Sequence, residues 1–283
     1  MMAILIAPFA AYGFMRMALV AVAALALANG PCGVLLLARR MSLAGELFSH
    51  AVMPGAALGF LMAGYSALAL SAGGFLTGLA VAAVSTLIGR GGAPRDEVDL
   101  AAFYLMALAI GVLLVSLAGS NADLMHVLFG TILAVDIRAL VLIASMATIS
   151  TLVLAAFYRP LAVDSFDPDF LQAVGGAGDT YRIMFLAVLV LDLVAGFQAF
   201  GTLLAVGPML LPAAAARRLT RRIGPSIALA VLFGGIAGYA GLLLSFFANL
   251  PSGPAVVLMA GALYVASALA TRWLPSTLNR GTA

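Results

Sequence analysis

The chain contains no lysine: all 14 of its basic residues are arginine. A phosphate-cradling loop of the G-x-x-x-x-G-K-[ST] type needs its lysine. The chain therefore lacks that nucleotide site, and if ATP drives it, another subunit supplies the ATPase. Charge of either sign is scarce. Charged residues make up 9% of the 283 positions and hydrophobic residues 64%, where a soluble domain carries roughly 25% charged residues. A water-soluble fold of this length cannot hide so much apolar surface, so the solvent is lipid. There is one cysteine, Cys32. It excludes an internal disulfide and reads as a small packing residue. The two histidines, His50 and His126, stand far apart, which argues against an H-E-x-x-H membrane metalloenzyme. A net charge of +3 gives no reason to expect nucleic acid, since membrane topology explains arginines at segment ends. The N-terminus shows no charged-then-apolar leader with a small-residue cleavage site.

What the chain has instead is a succession of apolar runs. Spanning segments are expected at about Phe14–Leu37, Ala44–Ala63, Ser66–Ile88, Leu100–Ala118, Ala139–Phe157, Pro225–Ala248 and Pro254–Leu274. Ile183–Ala216 is apolar too, but Gly196, Gly201, Gly207, Pro208 and Pro212 interrupt it. It reads as two short antiparallel segments, with a re-entrant stretch as the alternative. The expected fold is all-α: one polytopic transmembrane helical bundle over residues 1–283, with about eight or nine spanning segments and one Gly/Pro-broken pair. With the N-terminus outside, 12 of the 14 arginines face the cytoplasm, and only Arg16 and Arg138 fall on the other side. That matches the positive-inside rule and places the C-terminus inside. The 30 glycines and abundant alanine suit helices that must approach closely in lipid, where no hydrophobic effect draws them together.

One stretch, Arg39 to Gly64, concentrates chemistry. Glu46 and His50 lie four residues apart, so on a helix they share a face. Ionisable groups within a membrane are costly and are kept when paired, wetted or used. Carboxylate oxygen and imidazole nitrogen are both zinc ligands in their deprotonated forms, while a plain structural hydrogen bond between the two is the alternative. Two residues do not make a four-ligand site, but a two-fold dimer would supply a second Glu46 and His50. Asp192 lies ten residues past Arg182, about 15 Å along a helix. It is a further candidate ligand, proton acceptor or helix–helix hydrogen-bonding group. Asp123 and His126 are weaker candidates on the outer side, where a solvated loop pair is the alternative, and Asp136 with Arg138 reads as a surface pair. Pro54–Gly55 reads as a helix break. Gly201, Gly207, Pro208 and Pro212 read as hinge and backbone machinery. On the cytoplasmic side, about residues 164–178, Asp167 is a good N-cap and Pro168 a good first helical residue. Phe170, Leu171 and Val174 then give a short amphipathic helix of the kind that docks on a partner, unless it packs on its own chain.

Several stretches resemble a known family in order and spacing. Met41-Ser-Leu-Ala-Gly-Glu-Leu-Phe-Ser-His-Ala-Val-Met-Pro-Gly resembles the signature of ATP-binding-cassette (ABC) importer permeases for zinc and manganese. Asn121-Ala-Asp-Leu with Leu128-Phe-Gly, the block Phe200 to Arg217, and Leu250-Pro-Ser-Gly-Pro-Ala-Val-Val-Leu resemble three further motifs of the same family. The resemblance implies a bacterial inner-membrane permease subunit that pairs with a second copy of itself. It also implies a dimer of cytoplasmic ABC ATPases docking near residues 164–178, and an extracytoplasmic metal-binding protein. No resident cofactor is expected; zinc or manganese is cargo. The family usually carries aspartate where this chain has Glu46, so the acid here is one methylene longer. An ATPase-independent proton-coupled metal transporter would use Glu46, His50 and Asp192 equally well. An ABC permease for a larger metal chelate would not require His50.

Overall fold

The computed structural model describes residues 2–64, 66–88, 97–117, 132–166, 171, 178–201 and 204–273. In chain order the helices are α1 (Met2–Ala11), α2 (Gly13–Ala38), α3 (Ser42–Ala63), α4 (Ala67–Ile88) and α5 (Glu97–Leu117). A 3-10 turn at Ile132–Ala134 follows, then α6 (Ile137–Ala156), α7 (Tyr158–Phe166), α8 (Gly178–Phe200), α9 (Gly207–Leu219), α10 (Ile223–Ala248) and α11 (Ser252–Trp273). Among the described residues seven helices are long and apolar enough to cross a membrane. Helix α5, of 21 residues, brings the spanning-length helices to eight. All are uninterrupted, as lipid demands of a backbone with no water to bond.

The broken stretch differs from its expected form. Its first half is one full-length helix, α8, rather than a short segment, and only its second half is short. Helix α9 has 13 residues, about 20 Å at 1.5 Å per residue, against a hydrocarbon core of roughly 30 Å. The chain leaves α8 at Gly201, whose φ of 82° is a left-handed backbone that glycine adopts without steric cost. Gly207 and Pro208 open α9, while Pro212 lies buried inside it. A second correction concerns Pro54–Gly55. Helix α3 runs straight through both residues. Pro54 only withholds the N–H that would reach the His50 carbonyl one turn back. The sequence reading also missed α1, whose ten residues are too few to span.

Helices α2 and α8 form the centre, each with 72% of its apolar window buried. Helices α3, α4 and α5 pack together on one flank, and α9, α10 and α11 on the other. The α3–α4 contact rests on missing side chains. A Cβ on Gly55 would strike the Gly73 carbonyl and the Thr77 hydroxyl, and one on Gly59 would strike the Ala69 carbonyl.

The two ends of the bundle differ chemically. Arg39 at the end of α2 pairs with Asp164 of α7, and Tyr158 of α7 packs with Val34, Ala213 and Ile223. The turns bearing Arg39, Arg159 and Arg222 therefore share one end. At the opposite end Phe9 stacks on Tyr239, and Tyr12 meets Phe14 and Phe246. Aromatic side chains gather at membrane interfaces because they are apolar bodies with a polar edge or tip. Asp136, expected to pair with Arg138, instead caps α6, its Oδ1 accepting from the Ala139 N–H at 2.8 Å.

Candidate metal site and its surroundings

Helix α3 begins at Ser42, so Glu46 and His50 occupy its first turns, at the arginine end of the bundle. The i,i+4 spacing does what helix geometry requires: His50 Nε2 lies 3.4 Å from Glu46 Oε1. Their environments diverge. The His50 side chain is 3% exposed and the Glu46 side chain 49%. The imidazole is turned into the bundle, and the carboxylate lies on its outer surface. Ser42 and Leu43, within a turn of Glu46, are exposed too, whereas the exposed Leu58 and Leu61 lie about three to four turns further along α3. The acid is thus exposed at the start of α3, next to Ser42 and Leu43.

Asp192 stands elsewhere, in α8. It is 1% exposed, and its carboxylate faces Ser150 of α6 and Cys32 of α2. Both are close enough to feel its charge, yet neither carboxylate oxygen makes a hydrogen bond of good geometry among the described residues. Among those residues no three His, Cys, Asp or Glu side chains gather closely enough to hold a metal ion. One chain therefore presents Glu46 and His50 as a pair, with Asp192 outside it. Cys32 is buried as expected, but its neighbour is a carboxylate rather than only apolar packing.

Asp123 and His126 lie outside the described residues, as do Asp167, Pro168, Phe170 and Val174 of the expected docking helix. Leu171 is described: it is helical and buried. The residue pair that sequence reasoning missed is Arg39–Asp164. Arg39 Nη2 lies 2.8 Å from Asp164 Oδ2, with both side chains 7% exposed. The Arg39 guanidinium sits 4.3 Å from the centroid of the Phe185 ring of α8. Both charges were visible in the sequence as ends of polar stretches. With more than a hundred residues between them, no local spacing could pair them.

The chain is a multi-pass membrane helical bundle with an acid–imidazole pair near one end of a spanning helix. The chain belongs to the ABC 3 transport family, whose profile matches residues 11–271. It is 31% identical over 253 residues to the manganese transport system membrane protein MntC of Listeria innocua, with 89% of each chain covered. It is 32% identical over 244 residues to the zinc transport system membrane protein TroC of Treponema pallidum, covering 83% of this chain and 81% of that protein. The solved structure described as PsaBC from Streptococcus pneumoniae in complex with Fab superposes with a TM-score of 0.86 at 28% identity. It covers 99% of this chain and all of that one.

Proposed function

We propose that the chain is the permease of an ABC importer carrying Zn²⁺ or Mn²⁺ to the cytoplasm, through a site built from Glu46 and His50 of two copies. The observation that carries this reading is the divided environment of the pair. The imidazole is buried while its carboxylate neighbour is left half exposed at the start of a spanning helix, open to a group from outside the chain. A second copy laid on the α3 face would cover it. Because a two-fold contact brings the same surface from both subunits, it would also contribute a second Glu46 and His50. Two carboxylates and two imidazoles make a four-donor set that suits zinc or manganese. The relatives named for manganese and for zinc support both cargoes.

The proposed orientation puts the arginine end in the cytoplasm and the aromatic end outside. Glu46 and His50 then lie near the inner mouth, past which the ion is released. The ATPase is a separate subunit, because the chain has no lysine to build a phosphate loop, and an outer metal-binding protein delivers the ion. The test is Zn²⁺ and Mn²⁺ uptake in a strain lacking its own importers, with the permease co-expressed with an ATPase and a binding protein. Uptake is expected to stop with a catalytically dead ATPase. Uptake that continues would favour proton-coupled transport.

Asp192 is proposed as a pathway residue of the same route, buried at the junction of α2, α6 and α8. Asp192→Asn keeps the shape and removes the charge. Initial uptake is expected to fall about tenfold, corresponding to about 1.4 kcal/mol, with the protein still present in the membrane. Unchanged uptake would make Asp192 a packing residue.

A further inference from the structure

The strongest unassigned feature is the buried contact among Arg39, Asp164 and Phe185. Replacing a buried ion pair with packed apolar residues is often neutral or stabilising, so stability alone does not explain this one. Its position does. Asp164 lies near the end of α7, at the head of the stretch expected to dock on the ATPase. Arg39 closes α2, only three residues before α3 begins.

The turn from Arg39 into α3 is closed by backbone hydrogen bonds. The Arg40 N–H donates to the Leu37 carbonyl at 3.2 Å and the Met41 N–H to the Leu36 carbonyl at 3.1 Å. This is the paired closure of a helix C-terminus that ordinarily places glycine in the left-handed position. Here Arg40 takes it, at φ 57°. A displacement of the Arg39 backbone therefore passes directly into the first turn of α3, and Glu46 lies one turn beyond its start. On the other side, Phe185 carries the same guanidinium to α8, which also packs on α3. Arg182 of α8 is near enough for its positive charge to act on Arg39.

We propose that Arg39 and Asp164 are positioning residues that couple movement of α7 to the turn of α3 that bears Glu46 and His50. This rests on the ABC-importer reading above. Energetic coupling of this kind travels through contiguous packed groups and ion pairs. Here the chain of contact is short: Asp164 carboxylate, Arg39 guanidinium, a closed turn, and the helix bearing Glu46 and His50. The pair itself does not touch the ion.

The experiment reconstitutes permease, ATPase and binding protein in liposomes and measures Zn²⁺ carried per ATP hydrolysed. Asp164→Asn removes the charge at nearly constant volume. Hydrolysis is expected to stay within about twofold of wild type while Zn²⁺ per ATP falls at least about fivefold. Asp164→Glu keeps the charge on a longer arm and is expected to lose about twofold in the same ratio. An unchanged ratio in both variants overturns the proposal, as does a parallel loss of hydrolysis and transport in both, which marks a merely structural pair. Should Asp164→Asn fail to accumulate, Asp164→Glu alone decides by the same ratio. A wild-type complex that moves no Zn²⁺ on ATP hydrolysis would instead remove the importer reading itself.

Discussion

Cells carrying His50→Ala are expected to take up Zn²⁺ and Mn²⁺ no faster than cells without the permease. In the proposed two-fold site this single change deletes two of four donors, one from each copy. Outer partners of a metal ligand are each worth about 10- to 100-fold in affinity or activity, so losing two ligands themselves is expected to cost more than about 100-fold. The exposure of the two side chains makes the outcome specific. His50 is buried and Glu46 is not, so His50→Ala also opens a small cavity beside α3, and membrane abundance must be measured alongside uptake. His50→Gln, which refills the space with a poor metal ligand, is expected to accumulate normally and still fail to transport. Normal uptake by His50→Gln would place the ion elsewhere, as expected of a permease for a metal chelate.

Gly55→Val is expected to leave almost no folded protein in the membrane. The clash at Gly55 is with the carbonyl of Gly73 and with Thr77, and a backbone carbonyl cannot move aside by changing rotamer. Helices α3 and α4 would have to separate. Overpacking a core costs about 1–3 kcal/mol. In lipid no hydrophobic effect draws the helices back together. At about 1.4 kcal/mol per factor of ten, folded protein is expected to fall at least about tenfold, as seen by immunoblot of detergent-stable protein. The matched control is Gly261→Val in α11, where an added Cβ has no atom within 4 Å. It is expected to accumulate like the wild type. Equal loss in both variants would mean that valine in the helix, not the α3–α4 contact, was responsible.

The spanning helices were legible because lipid imposes one simple requirement, about twenty apolar residues in a row, and the sequence meets it plainly between its arginines. The Glu46–His50 pairing was legible for a similarly local reason, since four residues along a helix is one turn. Local reasoning failed where a residue's meaning depends on a distant partner. Pro54–Gly55 looked like a break because proline withholds a backbone donor. The structure shows an unbroken α3, with Gly55 serving as the floor on which α4 rests. The expected pairing of Asp136 with Arg138 failed because an aspartate before a helix has a closer option in the free N–H groups of the first turn. The broken stretch was correctly located, but how its length divides was decided by the packing of α8 against α2, α4 and α6.

Composition and spacing determined that this chain lives in lipid, crosses it many times, carries no lysine for a phosphate-cradling loop, and sets an acid and an imidazole one turn apart. Those properties depend on residue type and short-range periodicity, which a linear reading contains. Only the tertiary structure decided that the imidazole turns inward while its acid faces out, that Asp192 meets Cys32 and Ser150, and that Arg39 is held by Asp164. These depend on which helix faces meet across long separations in the chain, and packing geometry alone sets that.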